Sequence, residues 1–337
     1  MSDLGEFELI ARYFQRPERA LGAGVALGVG DDCALLQPGV GMQLAVSSDM
    51  LVSGRHFFDD VDPRTLGHKA LAVNLSDLAA CGAKPMGFTL ALALPTVDAH
   101  WLAAFSEGLF ALADAHGCTL VGGDTTRGPL NICITVFGEV PPGQALLRSG
   151  ARADDDIYVS GTLGDAALAL LALQCKLELP PDVLAQTRQR LETPTPRVAL
   201  GMALRGIATA AADVSDGLLG DLGHILQQSG KGAIIHAETA TQLIATHAYS
   251  TGATGQFGLK IPPATLMQCA LAGGDDYELV FTAAPAQRDA VQRAAHAAGV
   301  PVTRIGTITP QSGLILLDAH GAVLPASAFS SFDHFAP

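Results

Sequence analysis

The chain has 337 residues, 49% of them hydrophobic and only 16% charged, with a formal net charge of −13. That length exceeds what one hydrophobic core usually serves, so two domains are expected, and the apolar content excludes a disordered chain. Clustered Lys and Arg are missing, which argues against nucleic acid and membrane as partners and means that an anionic ligand would need cations between itself and the protein.

With 5% aromatic residues, the interior must be built from Ala, Leu, Val and Gly, as in α/β or α+β enzymes. Six cysteines at 33, 81, 118, 133, 175 and 269 form no Cys-x-x-Cys pair, so neither a zinc ribbon nor a redox motif is encoded. Met1 to Glu6 lacks the regions of a signal peptide, and no apolar run is long enough to span a bilayer. A soluble, cytoplasmic protein is expected.

In chain order, the spacing of Phe7, Leu9, Ile10, Tyr13 and Phe14 predicts a helix over 6–14, ended by Arg16-Pro17. Leu27 to Leu36 holds a Gly-rich turn with Asp31 and Asp32, opening into an apolar strand; a plain hairpin turn explains it equally well. Met42 to Ser48 predicts a buried strand that delivers Ser47, Ser48 and Asp49 at its end, a plausible magnesium corner. His56 follows, a residue type more often structural than ligating.

Pro63 to Ala80 predicts a helix with Pro in its first turn and Asn74, Ser76 and Asp77 near its end. Strand 88–94, helix 97–116 and strand 118–121 come next. Then Gly122-Gly123-Asp124-Thr125-Thr126-Arg127 predicts a phosphate-and-metal loop, in which glycines permit close approach, Asp124 is a hard oxygen ligand and Arg127 offers a fork of donors. On turn chemistry alone the same residues also fit an ordinary polar turn. Strand 130–140 follows, and pairing of 42–48 with 88–94 and of 118–121 with 130–138 gives a mixed sheet, an α+β domain and no Rossmann fold.

The Pro- and charge-rich stretch 141–156 places a boundary near residue 150, giving domains 1–149 and 150–337. Beyond it come strand 157–160, a helix over 166–177, the break Thr193 to Arg197 with a further helix after it, and strand 208–214. That strand leads into Asp213-Val214-Ser215-Asp216-Gly217 and helix 218–228, where an N-cap role accounts for one aspartate but not both. Gly273-Gly274-Asp275-Asp276 repeats the Gly-Gly-Asp pattern before another strand, and a helix over 285–299 and strands 302–308 and 314–317 complete the chain.

Carboxylates thus recur at strand ends: Asp32, Asp49, Asp124, Asp213 with Asp216, and Asp275. Brought together they would repel unless cations lay between them, which favours a nucleotide site with several magnesium ions over unrelated turns. No Gly-x-x-x-x-Gly-Lys-Ser/Thr loop or strand-linked Gly-x-Gly-x-x-Gly is present, so neither P-loop nor Rossmann binding is supported.

Gly5-Glu6-Phe7-Glu8-Leu9-Ile10, Gly30-Asp31-Asp32-Cys33-Ala34, Asn74-Leu75-Ser76-Asp77-Leu78, Gly122-Gly123-Asp124-Thr125-Thr126-Arg127-Gly128, Asp213-Val214-Ser215-Asp216-Gly217-Leu218 and Gly273-Gly274-Asp275-Asp276-Tyr277-Glu278-Leu279 resemble, in order, the motifs of the thiamine-monophosphate kinase family. The resemblance covers essentially the whole chain. It implies a two-domain aminoimidazole ribonucleotide synthetase-like architecture of the α+β class with α/β-type mixed sheets, an N-terminal α/β domain and a C-terminal α+β domain, and a homodimer joined through the N-terminal sheets. It implies ATP and thiamine monophosphate as ligands, phosphoryl transfer giving thiamine diphosphate, and several Mg2+ ions.

By the same resemblance Asp32, Asp49, Asp77, Asp124 and Asp213 would hold magnesium, helped by Ser47 and Ser48, with Asp216 near a further ion and Asp124 beside Asp49. Gly123, Asp124, Arg148 and Ser215 would contact ATP; His56, Asp275 and Phe332 would contact substrate. Asp275 stands where the family often has the longer Glu, and Arg148 matches the nucleotide contact better than Arg127. Two alternatives stay open: a same-fold ATP-dependent enzyme acting on another small substrate, and a non-catalytic acidic metal-binding protein.

Overall fold

The computed structural model describes residues 5–16, 18–245 and 261–329. Backbone contacts divide the chain into two compact units: residues up to 78 with 83–145, and residues 79–82 with 146 onward. Among the described residues, no helix is long and apolar enough to cross a membrane.

The first unit contains α1 (Glu6–Tyr13), β1 (Val25–Leu27), β2 (Leu35–Leu36), β3 (Gln43–Val52), α2 (Pro63–Cys81, whose residues from Ala79 on count with the second unit), β4 (Lys84–Leu94), α3 (Ala99–Ala115), β5 (Thr119–Arg127) and β6 (Asn131–Val140). Its four-stranded sheet runs β3-β6-β4-β5, with β4 and β5 parallel and the other pairs antiparallel. The sheet is mixed, as expected, but the partners differ from those predicted: β6 lies between β3 and β4, and β5 pairs with β4. The reason is the crossover β4-α3-β5, in which a helix carries the chain back so that the two strands run parallel.

Phe88, Leu90 and Leu92 of β4 align with Val136, Ile134 and Ile132 of β6 on one buried face. The opposite face is open, and on β3 it presents Leu44, Val46 and Met50, each about half exposed. Asp98 begins α3 by accepting hydrogen bonds from the backbone N–H of His100 and Trp101. Helices α2 and α3 touch through glycine: a Cβ on Gly108 would lie 1.9 Å from the carbonyl oxygen of Arg64.

Two predicted boundaries move, and both bear on the site. The predicted loop 122–127 is strand: it forms the second half of β5, hydrogen-bonded along β4 as far as Arg127. A bulge at Val121, where pairing steps from Leu120 to Gly122, lets the strand continue through the two glycines. Strand β3 likewise does not end at Asp49 but pairs with β6 to Val52, so Ser47, Ser48 and Asp49 lie in mid-strand.

The second unit contains β7 (Asp156–Ser160), α4 (Asp165–Leu173), α5 (Pro181–Glu192), α6 (Val198–Ala203), β8 (Ala208–Val214), α7 (Leu218–Ser229), β9 (Gly232–His236), α8 (Ala237–Thr241), α9 (Pro263–Ala272), β10 (Glu278–Ala283), α10 (Arg288–Ala298), β11 (Val302–Thr309), β12 (Gly313–Leu317) and β13 (Val323–Leu324). Sequence periodicity did not find α5, β9, α8 or α9. Among the described residues the unit's seven strands run β13-β12-β9-β11-β7-β10-β8, parallel only between β9 and β12. Ile157, Val159, Val214, Leu222, Ile225, Ile235, Val280 and Ile305 belong to its main apolar core.

Candidate functional site

In the first unit, a cavity of about 600 Å3 opens beside β5 and is lined by Asp31, Asp32, Gly122, Gly123, Asp124 and Thr125, with Phe14 and Leu120 among its apolar walls. Two predicted metal ligands, Asp32 and Asp124, and the predicted nucleotide contact Gly123 therefore share one cleft. Gly123 has φ +146°, and a Cβ there would lie 1.9 Å from the carbonyl oxygen of Leu90, so only glycine lets β5 lie this close to β4. Asp31 accepts a hydrogen bond from the backbone N–H of Asp32 at 2.8 Å.

A second group forms between β3 and α2. Asn74 and Asp77, three residues apart, lie on one side of the helix. The Ser47 hydroxyl donates to Asp77 at 2.5 Å, and the Asp49 N–H donates to Asn74 Oδ1 at 3.0 Å. Ser48 points to the other side of β3, as strand alternation requires, and its hydroxyl meets Thr135 and the carbonyl of Ile134. The two hydroxyls therefore do not converge on one point, and Ser48 can join Ser47 at an ion only through its backbone oxygen.

Asp49 aligns with Ile134, Ile134 with Leu90, and Leu90 with Gly123, so Asp49 and the Gly123-Asp124 pair sit at the same level on opposite edges of the sheet. Three strand spacings of an ordinary sheet span roughly 14 Å. Asp124 is expected beside Asp49; within one chain, two strands separate them. His56 is in a turn after β3, with its Nδ1 accepting from the backbone N–H of Val52 at 3.0 Å. Arg127 is exposed at the end of β5.

In the second unit, Asp213 is the penultimate residue of β8 and is buried, whereas Ser215 is half-buried and Asp216 exposed. Asp221, in the first turn of α7, is buried and accepts the backbone N–H groups of both Ser215 and Asp216 at 3.1 Å. Burial and the neighbouring Asp216 push its carboxyl up to about 7, against those hydrogen bonds and the charge of Arg148. Arg148 is thus close enough for its charge to be felt at the 215–221 turn, which brings two predicted nucleotide contacts, Arg148 and Ser215, to one region.

The turn before β10 is joined to the same place. Asp275 N–H donates to the carbonyl of Ser215 and Tyr277 N–H to that of Val214, both at 2.8 Å, and the Tyr277 hydroxyl reaches Asp275 at 3.2 Å. Asp275 therefore sits directly against the 213–216 segment. Phe332 lies outside the described residues.

Among the described residues, no three His, Cys, Asp or Glu side chains form a group able to hold a metal. The donors are nonetheless carboxylate, hydroxyl and carbonyl oxygens, the set magnesium prefers. Magnesium is usually held by one or two carboxylates together with phosphate oxygens and water rather than in an all-protein cage, so the residues fit that ion in company with a phosphate ligand.

Two family models match the chain: AIR synthase related protein, N-terminal domain, over residues 30–140, and AIR synthase related protein, C-terminal domain, over residues 152–318. The chain is also 45% identical over 333 residues to the thiamine-monophosphate kinase of Salmonella typhimurium, with 98% of each sequence covered. It belongs to the thiamine-monophosphate kinase family. The crystal structure of thiamine-monophosphate kinase from Stenotrophomonas maltophilia K279a is 48% identical and superposes with a TM-score of 0.79, covering 87% of this chain and 91% of that one. A second family structure, AaThiL complexed with AMPPCP and TMP, is 28% identical with a TM-score of 0.72, covering 99% and 98%.

Within this thiamine-monophosphate kinase family member, sequence reasoning missed Asp221 and the buried group around Glu278. Asp221 carried one usable signal, an acidic residue in the first turn of the helix that follows Asp213 to Gly217, where free N–H groups gather. Glu278 and its arginines carried none, because they are far apart in sequence.

Proposed function

We propose that this chain transfers the γ-phosphoryl group of ATP to the phosphate of thiamine monophosphate, giving thiamine diphosphate and ADP. The observation that carries this is similarity to a thiamine-monophosphate kinase over nearly the whole of both chains. A family structure complexed with AMPPCP and TMP supports the same pair of substrates. The transfer is direct and in line: the acceptor phosphate has its second pKa near ~6, is already a dianion at neutral pH, and needs no strong base. Catalysis then consists of positioning and charge neutralisation.

In this reading residues 1–149 bind ATP and magnesium, and residues 150–337 form the second domain. Asp32, Asp49, Asp77, Asp124 and Asp213 hold magnesium, with Ser47, Ser48 and Asp216 nearby; when bound, the ions neutralise the phosphate charge. Gly123, Asp124, Arg148 and Ser215 contact ATP, and His56, Asp275 and Phe332 contact thiamine monophosphate. The Asp32–Asp124 cleft supports the assignment of phosphate and metal to β5.

The chain acts as a homodimer joined through the open sheet face, supported by Leu44, Val46 and Met50 lying exposed on one side of β3. It works in the cytoplasm, supported by six cysteines that are all free thiols, as a reducing compartment keeps them.

Incubation with magnesium, ATP and thiamine monophosphate tests the reaction, and absence of thiamine diphosphate overturns it. Trapping of a phosphorylated enzyme with labelled ATP overturns direct transfer. Asp124→Asn is expected to abolish turnover and keep the thermal transition, because the side chain is exposed and its volume is preserved; retained turnover removes Asp124 from the site.

A further inference from the structure

The carboxylate of Glu278, at the start of β10, is fully buried and receives four hydrogen bonds. Ser160 Oγ donates at 2.6 Å, Arg190 Nη2 at 2.6 Å, and Arg197 donates through Nε at 2.6 Å and Nη2 at 2.5 Å. Arg190 also donates to the backbone oxygen of Asp276 at 3.2 Å. The Asp276 side chain, itself fully buried, accepts the N–H of Gly164 at 2.8 Å.

These bonds grip a turn that the backbone alone disfavours. Asp275 has φ +67° and Tyr277 φ +51°, left-handed values that residues with a Cβ rarely adopt. Conformations of this kind persist only where the surroundings over-determine them, and they gather at functional sites. Here the surroundings are the buried side chains of Asp276 and Glu278, which alternate with the two strained residues. The same turn is hydrogen-bonded through Asp275 and Tyr277 to the carbonyls of Ser215 and Val214.

We propose that Glu278, clamped by Arg190 and Arg197, is a positioning residue: it locks the 275–277 turn so that Asp275 meets the acceptor in one fixed orientation against the 213–216 segment. This rests on the reading of Asp275 as a thiamine monophosphate contact. Arg190 and Arg197 act through Glu278 and, for Arg190, the backbone oxygen of Asp276.

The test is steady-state kinetics of Arg190→Lys, Asp275→Ala and the double variant. Lysine keeps the charge that Glu278 needs and loses the forked geometry. Arg190→Lys is expected to raise KM for thiamine monophosphate about tenfold, the cost of a hydrogen bond to a charged group, with KM for ATP and kcat within about twofold. In the Asp275→Ala background the same change is expected to add nothing, which a general weakening of the fold does not produce. An unchanged KM, or the same factor recurring without Asp275, overturns the proposal. Should Arg190→Lys fail to fold, Arg197→Lys is judged by the same two criteria. The wild-type control separates the two readings: no thiamine diphosphate from wild type defeats the kinase reading, whereas normal wild-type turnover with an unmoved KM in the variants defeats only the positioning role.

Discussion

Gly123→Ala is the sharpest perturbation of the site that the backbone allows. The added methyl would lie 1.9 Å from the carbonyl oxygen of Leu90 and 2.6 Å from its carbon, both main-chain atoms of β4 that no side-chain rotation can move. The φ of +146° adds a second penalty, since residues with a Cβ avoid that region. A sparsely populated backbone conformation costs roughly 1–3 kcal/mol and overpacking a similar amount, so a loss of about 3 kcal/mol is expected. For a unit of this size that lowers Tm by roughly 6–12 °C. Gly122→Ala is the internal control: its φ is unexceptional and the added methyl would meet only the Thr89 methyl at 4.0 Å, so its Tm should stay near wild type. Differential scanning calorimetry of the two variants, with titration of a non-hydrolysable ATP analogue into each, makes the comparison. Equal transitions for Gly123→Ala and Gly122→Ala would refute the claim that close approach of β5 to β4 shapes the cleft.

Gly108→Ala should destabilise by about 2 kcal/mol although alanine favours helix by about 1 kcal/mol, because its methyl would fall 1.9 Å from the Arg64 carbonyl oxygen; a stabilised variant in urea unfolding contradicts the glycine contact between α2 and α3. Asp156 is buried, which raises its pKa, but hydrogen bonds from Arg288 and Arg304 outweigh burial and hold it below the usual carboxylate range. A depressed folded pKa gives stability that is present above the unfolded pKa and lost as pH falls through the folded one. Asp156→Asn should therefore be less stable than wild type by about 1–2 kcal/mol at pH 7, with half-exposed arginines limiting the effect, and the gap should close below about pH 4; a gap constant from pH 7 to pH 3 would show that Asp156 contributes no charge-dependent stability. Chelating magnesium with EDTA should remove binding of a non-hydrolysable ATP analogue in calorimetry, since the cleft offers carboxylates to phosphates; undiminished affinity would exclude the metal-bridged mode.

The elements that the sequence revealed are those whose own residues decide them. Helix α2 announces itself through Pro63 and an apolar run, and strand 208–214 through small apolar residues that end at a polar turn. The elements it concealed are decided by partners. Ser47, Ser48 and Asp49 have poor strand propensity, yet β3 passes through them because an unbroken ladder with β6 supplies ten paired residues. Gly122-Gly123-Asp124 has the composition of a turn, yet parallel pairing with β4 extends it. The candidate site residues stand out as motifs because carboxylate beside glycine or hydroxyl is an unusual local pattern. The Glu278 group was invisible because Ser160, Arg190 and Arg197 lie 118, 88 and 81 residues away, and nothing local marks a pairing at that distance.

Arginine pairs compensate several carboxylates of this acidic chain. Glu278 is neutralised by Arg190 and Arg197, Asp156 by Arg288 and Arg304, and Asp114 by Arg16 and Arg19. None of these three carboxylates is among the proposed metal ligands. Burying an unpaired carboxylate is costly, and at Glu278 and Asp156 the paired arginines offset that cost. Of the proposed ligands, Asp32 and Asp124 are exposed, where solvent largely screens their charges, whereas Asp213 is buried. Under the proposed assignment, an acidic cleft of this kind opposes a bare polyphosphate and admits one that brings cations with it. The positioning role proposed for the turn at 275–277 rests on a different device: Asp275 is fixed by backbone bonds and a buried ion cluster, so in that proposal orientation rather than charge balance governs its contact with the acceptor.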